Sequence, residues 1–338
     1  MSKNVSIFLL LGLCALHATA AEGQINRVRG RILCQGNTLS DVTVEVDGQS
    51  SQSLGDGTFE ITGTFSGTPG TVNIRYEADV RILPPTTVRL QIFDDIMRTR
   101  GDSVDQAPAV TGDVADFGDV TCPNDDCVLW GWGVLALNRY FAITGGTLPP
   151  AGELRLKRWT AVYMSAGAAP HTFHDYLVLP TDFAASGRER TLYHEFGHSV
   201  RHVADGGETH WHGDNVKYIY GRIHNGGQVT NKGFTFNEGW GHYWSAAIAA
   251  GGVGIHPDAP VDPAFVDFNE DRVGAHLLAL SAPVGHAFMV NVLLANPGGI
   301  HTFDMRECSA TCCPPTSTTR RCYATCGSSS PMMPTDAS

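Results

Sequence analysis

The residues best placed to do chemistry lie in one short run, His194-Glu195-Phe196-Gly197-His198. On a helix, side chains four residues apart leave the same face about one turn apart, so the two imidazoles can reach one ion. The glutamate between them is placed to take a proton from water activated by that ion. Zinc suits such donors, and a catalytic zinc uses three protein ligands with water in the fourth position. A third ligand must therefore come from elsewhere in the chain.

Three arrangements compete for that role. The metzincin pattern needs Gly three residues and His six residues after the second histidine, and those positions hold Arg201 and Ala204, which excludes it. An aspartate ligand is available in Asp214, although its spacing to Tyr218 is one residue longer than the aspzincin signature. The third candidate is Glu238, in Phe236-Asn237-Glu238-Gly239-Trp240-Gly241-His242-Tyr243-Trp244, expected near the start of a second helix. A glutamate there also has a plain structural reading, as an exposed carboxylate favoured by the helix dipole. His202, His210 and His212 are further imidazoles that could substitute as ligands.

In its two motifs together the sequence resembles the gluzincins, the thermolysin-like zinc peptidases, in which an Asn-Glu dipeptide on a following helix completes the metal site. The resemblance covers about residues 190–245. It implies one zinc ion per chain held by His194, His198 and Glu238, with Glu195 as general base. It also implies an edge strand before the motif helix that pairs with an extended peptide, for which residues 160–164 and 175–179 are the candidates. Gluzincins often carry a carboxylate four residues after the ligand glutamate, where this chain has His242, so the hydrogen bonding behind the metal-bound imidazole differs. An oxyanion donor is also expected, with Tyr218, Tyr220, His224 and Tyr243 all eligible.

The elements that must position these groups read as follows. Residues 1–21 form a secretory leader: Lys3, an apolar run from Ile7 to Leu16 too short to span a bilayer, then Ala18-Thr19-Ala20-Ala21. Residues 22–100 show short alternating stretches (Asn26–Leu33, Val42–Val46, Thr58–Thr64, Val72–Tyr76) around a Gly55-Asp56-Gly57 turn. That pattern predicts a β-sandwich, and its wording resembles transthyretin-like or carboxypeptidase-regulatory-like modules. Residues 101–121, rich in Gly and Asp, read as a linker, and 122–305 as an α+β metallopeptidase-like domain.

Within that second part, helices are expected at about Cys127–Ile143 and Ser186–Ala204, the latter with Leu192, Phe196, Val200 and Val203 buried. Strands are expected at Leu154–Met164 and Tyr176–Leu179. Further helices are expected from Asn237 to Ala250, at Asn269–Leu280 and at Ala287–Ala295. Trp240, Trp244 and Ile248, at helical spacing, read as core. Residues 306–338 form a Cys-, Ser/Thr- and Pro-rich tail. The fold class expected is thus multidomain, a β-sandwich followed by an α+β zinc-peptidase-like domain.

The chain has nine cysteines, and removing Cys14 with the leader leaves an even number, as befits an oxidising compartment. Proximity suggests a local Cys122–Cys127 pair. The formal charge of −11 argues against a nucleic-acid footprint and against docking on anionic lipid. The chain therefore reads as a secreted or periplasmic zinc peptidase acting on a peptide or protein, with no membrane span in the mature protein. A non-catalytic zinc-containing adhesion protein and a zinc amidase or esterase are the alternatives, because the same zinc–water chemistry serves all three bond types.

Overall fold

The computed structural model describes residues 24–82, 87–94, 98–146, 153–159, 171–173, 176–180, 183–184, 188–204, 227–230, 232–259, 262 and 267–295. The leader, the tail, and Asp214, Tyr218, Tyr220, His224, His210 and His212 lie outside these residues. Within them the protein has a mixed architecture of three β-sheets and five helices.

The strands are β1 (Ile25–Cys34), β2 (Asn37–Thr38), β3 (Thr43–Val46), β4 (Gln49–Gln52), β5 (Thr58–Phe65), β6 (Thr71–Arg75) and β7 (Glu77–Arg81). They continue with β8 (Thr87–Phe93), β9 (Gly101–Asp105), β10 (Ala109–Thr111), β11 (Val114–Thr121), β12 (Glu153–Trp159), β13 (His171–Phe173) and β14 (Tyr176–Pro180). The helices are α1 (Asp126–Thr144), α2 (Glu189–Ala204), α3 (Lys232–Ile248), α4 (Glu270–Val284) and α5 (His286–Ala295).

One sheet orders β10-β11-β1-β2 with β5 also on β1, and a second orders β4-β3-β6-β9. Alternation explains them. In β1, Ile25, Val28, Ile32 and Cys34 are buried while Arg27, Arg29 and Arg31 face out. Two of those arginines meet acids of the neighbouring parallel strand, Arg29 with Asp116 at 2.8 Å and Arg31 with Asp119 at 2.7 Å. Exposed pairs of this kind contribute little stability, but they mark the register.

The third sheet runs across the expected boundary. Its order is β13-β14-β12-β8-β7, with β8 running parallel to β12 and β12 parallel to β14. Residues 77–81 and 87–93 therefore belong to a sheet shared with the later half, although the sequence placed them in a self-contained sandwich. Residues 101–121, expected as a linker, carry β9, β10 and β11; β9 pairs with β6, β11 with β1, and β10 with β11. Ala115 and Phe117 alternate into the core, Val120 returns to it after the register shift between Asp116 and Asp119, and all three hold this stretch in the sheet. One continuous buried cluster runs from Ile25 to Leu293 across all three sheets and the helices.

Helix α1 is apolar nearly all round, and Leu129, Trp130, Leu137, Tyr140 and Phe141 are buried. Gly145 closes it in the left-handed region, its N–H bonded to the Phe141 carbonyl. The helix packs against β8, α2, α3 and α5, with Gly133 lying against Leu90 and Leu156.

The start of α1 also decides the cysteine pairing. Because β11 runs beside β1, the Cys122 N–H donates to the Leu33 carbonyl, and the first turn of α1 is delivered to the end of β1. The disulfide is Cys34–Cys127, with Cα atoms 5.7 Å apart, and Cys122 is a buried free thiol. The local Cys122–Cys127 pair is thus corrected: strand pairing, invisible in sequence spacing, brings Cys34 within bonding reach of Cys127. The bridge closes a loop with a sequence separation of 93. Chain entropy then assigns it roughly 4–5 kcal/mol, the upper part of the usual range. We predict that Cys34→Ser lowers the melting temperature markedly whereas Cys122→Ser leaves the bridge intact; peptide mapping that finds a Cys122–Cys127 bridge would overturn this.

Among the described residues no single helix is long and apolar enough to cross a membrane. The pair α4–α5 meets the length and composition test only together, and it is bent by 106°.

Candidate metal centre

Helix α2 docks through Leu192, Phe196 and Val200, all buried, with Val203 only half-buried and Ala204 buried in its place. Phe196 meets the Tyr140 ring edge-on at 5.4 Å, and Tyr140 in turn meets Trp244 of α3 at 4.8 Å. Trp240, Trp244 and Ile248 are fully buried, as their spacing suggested. Helix α3 begins at Lys232, earlier than expected, so Glu238 stands in its second turn and not at an exposed end. Only 10 % of the Glu238 side chain is exposed, which removes the plain reading as a surface dipole partner.

Two close helix crossings bring the chemistry together. On α2, Gly197 falls on the same face as His194 and His198, three residues after the first and next to the second. On α3, Gly241 stands in the same relation to Glu238 and His242. A Cβ added at Gly197 would sit 3.0 Å from Trp244 Cβ and 3.1 Å from the Gly241 Cα. At Gly241 it would lie 2.7–2.8 Å from three atoms of the His194 ring. A methyl group at Gly241 would displace the His194 ring and one at Gly197 would press on α3, so the two backbones approach closely. A second crossing joins α3 to α4: a Cβ on Gly239 would meet Val273 Cγ1 at 2.5 Å, and one on Gly274 would meet His242 Cβ at 2.7 Å.

Three donor atoms converge as a result. His194 Nε2 lies 3.0 Å from His198 Nε2 and 3.2 Å from Glu238 Oε2, and His198 Nε2 lies 3.5 Å from that same oxygen. Ligands about 2.05 Å from one tetrahedral ion stand about 3.3 Å apart. The triangle therefore has the size that a small divalent ion requires, and its two imidazoles and one carboxylate are suitable donors. The side chains of His194 and His198 are 14 % and 5 % exposed, so the cluster opens to solvent on the His194 side.

Electrostatics separate the two histidines in the metal-free protein. Burial disfavours the charged imidazole of His194 and pushes its pKa down to about 4, against the hydrogen bond to Glu238. Burial opposes charge on His198 as well, but the Glu238 carboxylate beside it and the Glu195 charge outweigh that cost and hold its pKa above the ordinary value. At neutral pH the His194 imidazole is thus neutral, the form that ligates a metal.

Glu195, the expected base, is buried at 5 % exposure on the same helix turn and close enough to His198 to act on its charge. Tyr243, one of the eligible oxyanion donors, is corrected to a core residue: it is fully buried and its hydroxyl is paired with His286 Nδ1 at 2.6 Å. His202 lies on α2 but outside the convergent donor set. The expected substrate-pairing strand at 175–179 is also corrected. Residues 176–180 form β14, which lies between β12 and β13, and among the described residues the strand at that edge of the sheet is β13. Residues 160–164 lie outside the described residues.

Sequence reasoning missed Glu270 and Asp271, which with His242 form a second group that could hold a metal ion. The signal available was the Gly at matching positions in His194-x-x-Gly197-His198 and Glu238-x-x-Gly241-His242, with Gly274 four residues after Glu270. Those glycines mark where three helices touch.

No family model matches the chain, and no curated protein matches it significantly. Among solved structures it is similar to a 9R-lipoxygenase from Cyanothece PCC8801, 15 % identical over 37 % of this chain and 24 % of that one, with a TM-score of 0.20. A likeness at that level carries no argument about fold or activity.

Proposed function

We propose that the chain is a secreted zinc-dependent peptidase of the gluzincin kind, a β-sandwich followed by an α+β catalytic part. The observation that carries this reading is the convergence of His194 Nε2, His198 Nε2 and Glu238 Oε2 from two helices to mutual distances of 3.0–3.5 Å. The Cys34–Cys127 bridge is in keeping with an oxidising compartment.

Zinc held by these three residues would supply a Lewis acid that polarises a carbonyl and a water acidic near neutral pH. Glu195 accepts the proton of that attacking water and delivers it to the departing amine nitrogen, so the peptide bond breaks without a free strong acid. Its burial beside the donors keeps the carboxylate dry and strengthens each of these transfers. His194 and His198 are held in place by the Gly197–Gly241 crossing, so the site needs little reorganisation when it is loaded.

A specific observation also supports a non-catalytic zinc-binding protein as second reading: Tyr243 is committed to His286 and offers no donor to an oxyanion. Metal analysis and hydrolysis of a peptide library decide between them. The peptidase reading expects zinc bound by the wild type, cleavage lost on chelation and restored on adding zinc. Bound zinc with no cleavage of any peptide leaves the second reading, and a correctly folded chain that takes up no zinc removes both.

A further inference from the structure

The first donor set adjoins a second one. His242 follows Glu238 by four residues on α3, and its ring meets that of His194 edge-on with centroids 4.6 Å apart. Its Nε2 looks toward the first turn of α4, where Asp271 Oδ1 lies at 3.5 Å and Glu270 Oε1 at 3.8 Å. The two carboxylate side chains are 6 % and 5 % exposed, and the imidazole is 31 % exposed.

The His256 N–H donates to Asp271 Oδ2 at 2.7 Å, and the other Asp271 oxygen faces His242. His242 does not close on either carboxylate. A charge-assisted N–H···O bond would contract to about 2.7–2.9 Å. The observed separations of 3.5 and 3.8 Å match instead two donors each about 2.0–2.2 Å from a common ion, which stand about 3.0–3.8 Å apart. The Asp271 oxygen facing His242 belongs to a side chain more than nine-tenths buried, and the donor atoms of His242, Glu270 and Asp271 all lie within 4.8 Å of one another.

We propose that His242, Glu270 and Asp271 hold a second divalent cation beside the first site. One imidazole with two carboxylates is a donor set for zinc or manganese, whereas calcium takes a shell of six to eight oxygens. Two carboxylates neutralise the ion, and the exposed flank of His242 leaves coordination positions to water. The second cation shares no ligand with the first, so each can be lost alone. The Gly239–Gly274 crossing, which sets His242 against α4, is what builds it.

The test counts ions in the full chain, stripped with chelator and titrated with Zn²⁺ and separately with Mn²⁺, by calorimetry and by elemental analysis after desalting. Glu270→Gln with Asp271→Asn is expected to lower the number of bound ions by one relative to the wild type, while the ion of His194, His198 and Glu238 stays. His194→Ala with His198→Ala is expected to lose the other ion and keep this one. His242→Asn, a gentler change that decides the matter if the carboxylate pair is needed for folding, is expected to weaken the second ion by more than the ~10- to 100-fold cost of an outer-shell substitution. The proposal is overturned if the carboxylate and His242 variants bind as many ions as the wild type with unchanged affinity. An ion lost only in the His194/His198 variant would leave the peptidase reading standing and remove this one.

Discussion

Glu195→Gln is expected to abolish turnover and leave everything else in place. Gln keeps the length and shape of Glu and can still hydrogen-bond, so the fold and the zinc content should match the wild type. What it lacks is a basic oxygen to hold the proton, and positioned acid–base groups contribute roughly 10²–10⁴-fold in rate. A fall of that size in kcat with zinc content unchanged supports the assigned role. Full retention of activity would transfer the base to another residue, and loss of zinc together with activity would mean that Glu195 serves the metal site and not the proton.

Gly241→Ala is expected to invert the usual sign of such a change. In an exposed helix interior, replacing Gly by Ala gains about 1 kcal/mol. Here the new methyl would fall 2.7–2.8 Å from the His194 ring, inside any van der Waals contact. The ring or the helix must move, and overpacking of this kind costs about 1–3 kcal/mol. The net result is a protein no more stable than the wild type, with a displaced first ligand and zinc affinity lower by an order of magnitude or more. Gly251→Ala, beside a flexible Arg190 end, is the control and should retain full zinc affinity. Wild-type zinc affinity in Gly241→Ala would show that His194 does not need its present place.

Much of this arrangement could be read from the chain. The α1 boundaries follow from the apolar run ended by Gly145-Gly146, and the α2 stripe follows from its period. The meeting of His194, His198 and Glu238 was legible because ligand chemistry constrains both residue type and spacing. What escaped depends on contacts between segments far apart. Periodicity marks β8 as a strand but cannot say that it pairs with β12 and not with a neighbour in its own half. The start of α3 was set too late because Gly233 and Thr235 look like loop residues until tertiary packing fixes them in a helix. Glu270 and Asp271 looked like ordinary acids at a helix N-terminus, favoured by the dipole. The close approach of α4 to His242 gives them an imidazole as common neighbour.

The parallel seam between β8 and β12 has a consequence for how this protein can be divided. Cutting the chain between its two halves would strip one long side of β12 of its partners and leave a row of bare amide and carbonyl groups beside Leu154 and Leu156, which are buried in the intact protein. Such a border recruits other strands and promotes clumping. The amino-terminal half is therefore a wall of the same framework, and neither piece keeps a fully paired sheet when cut from the other.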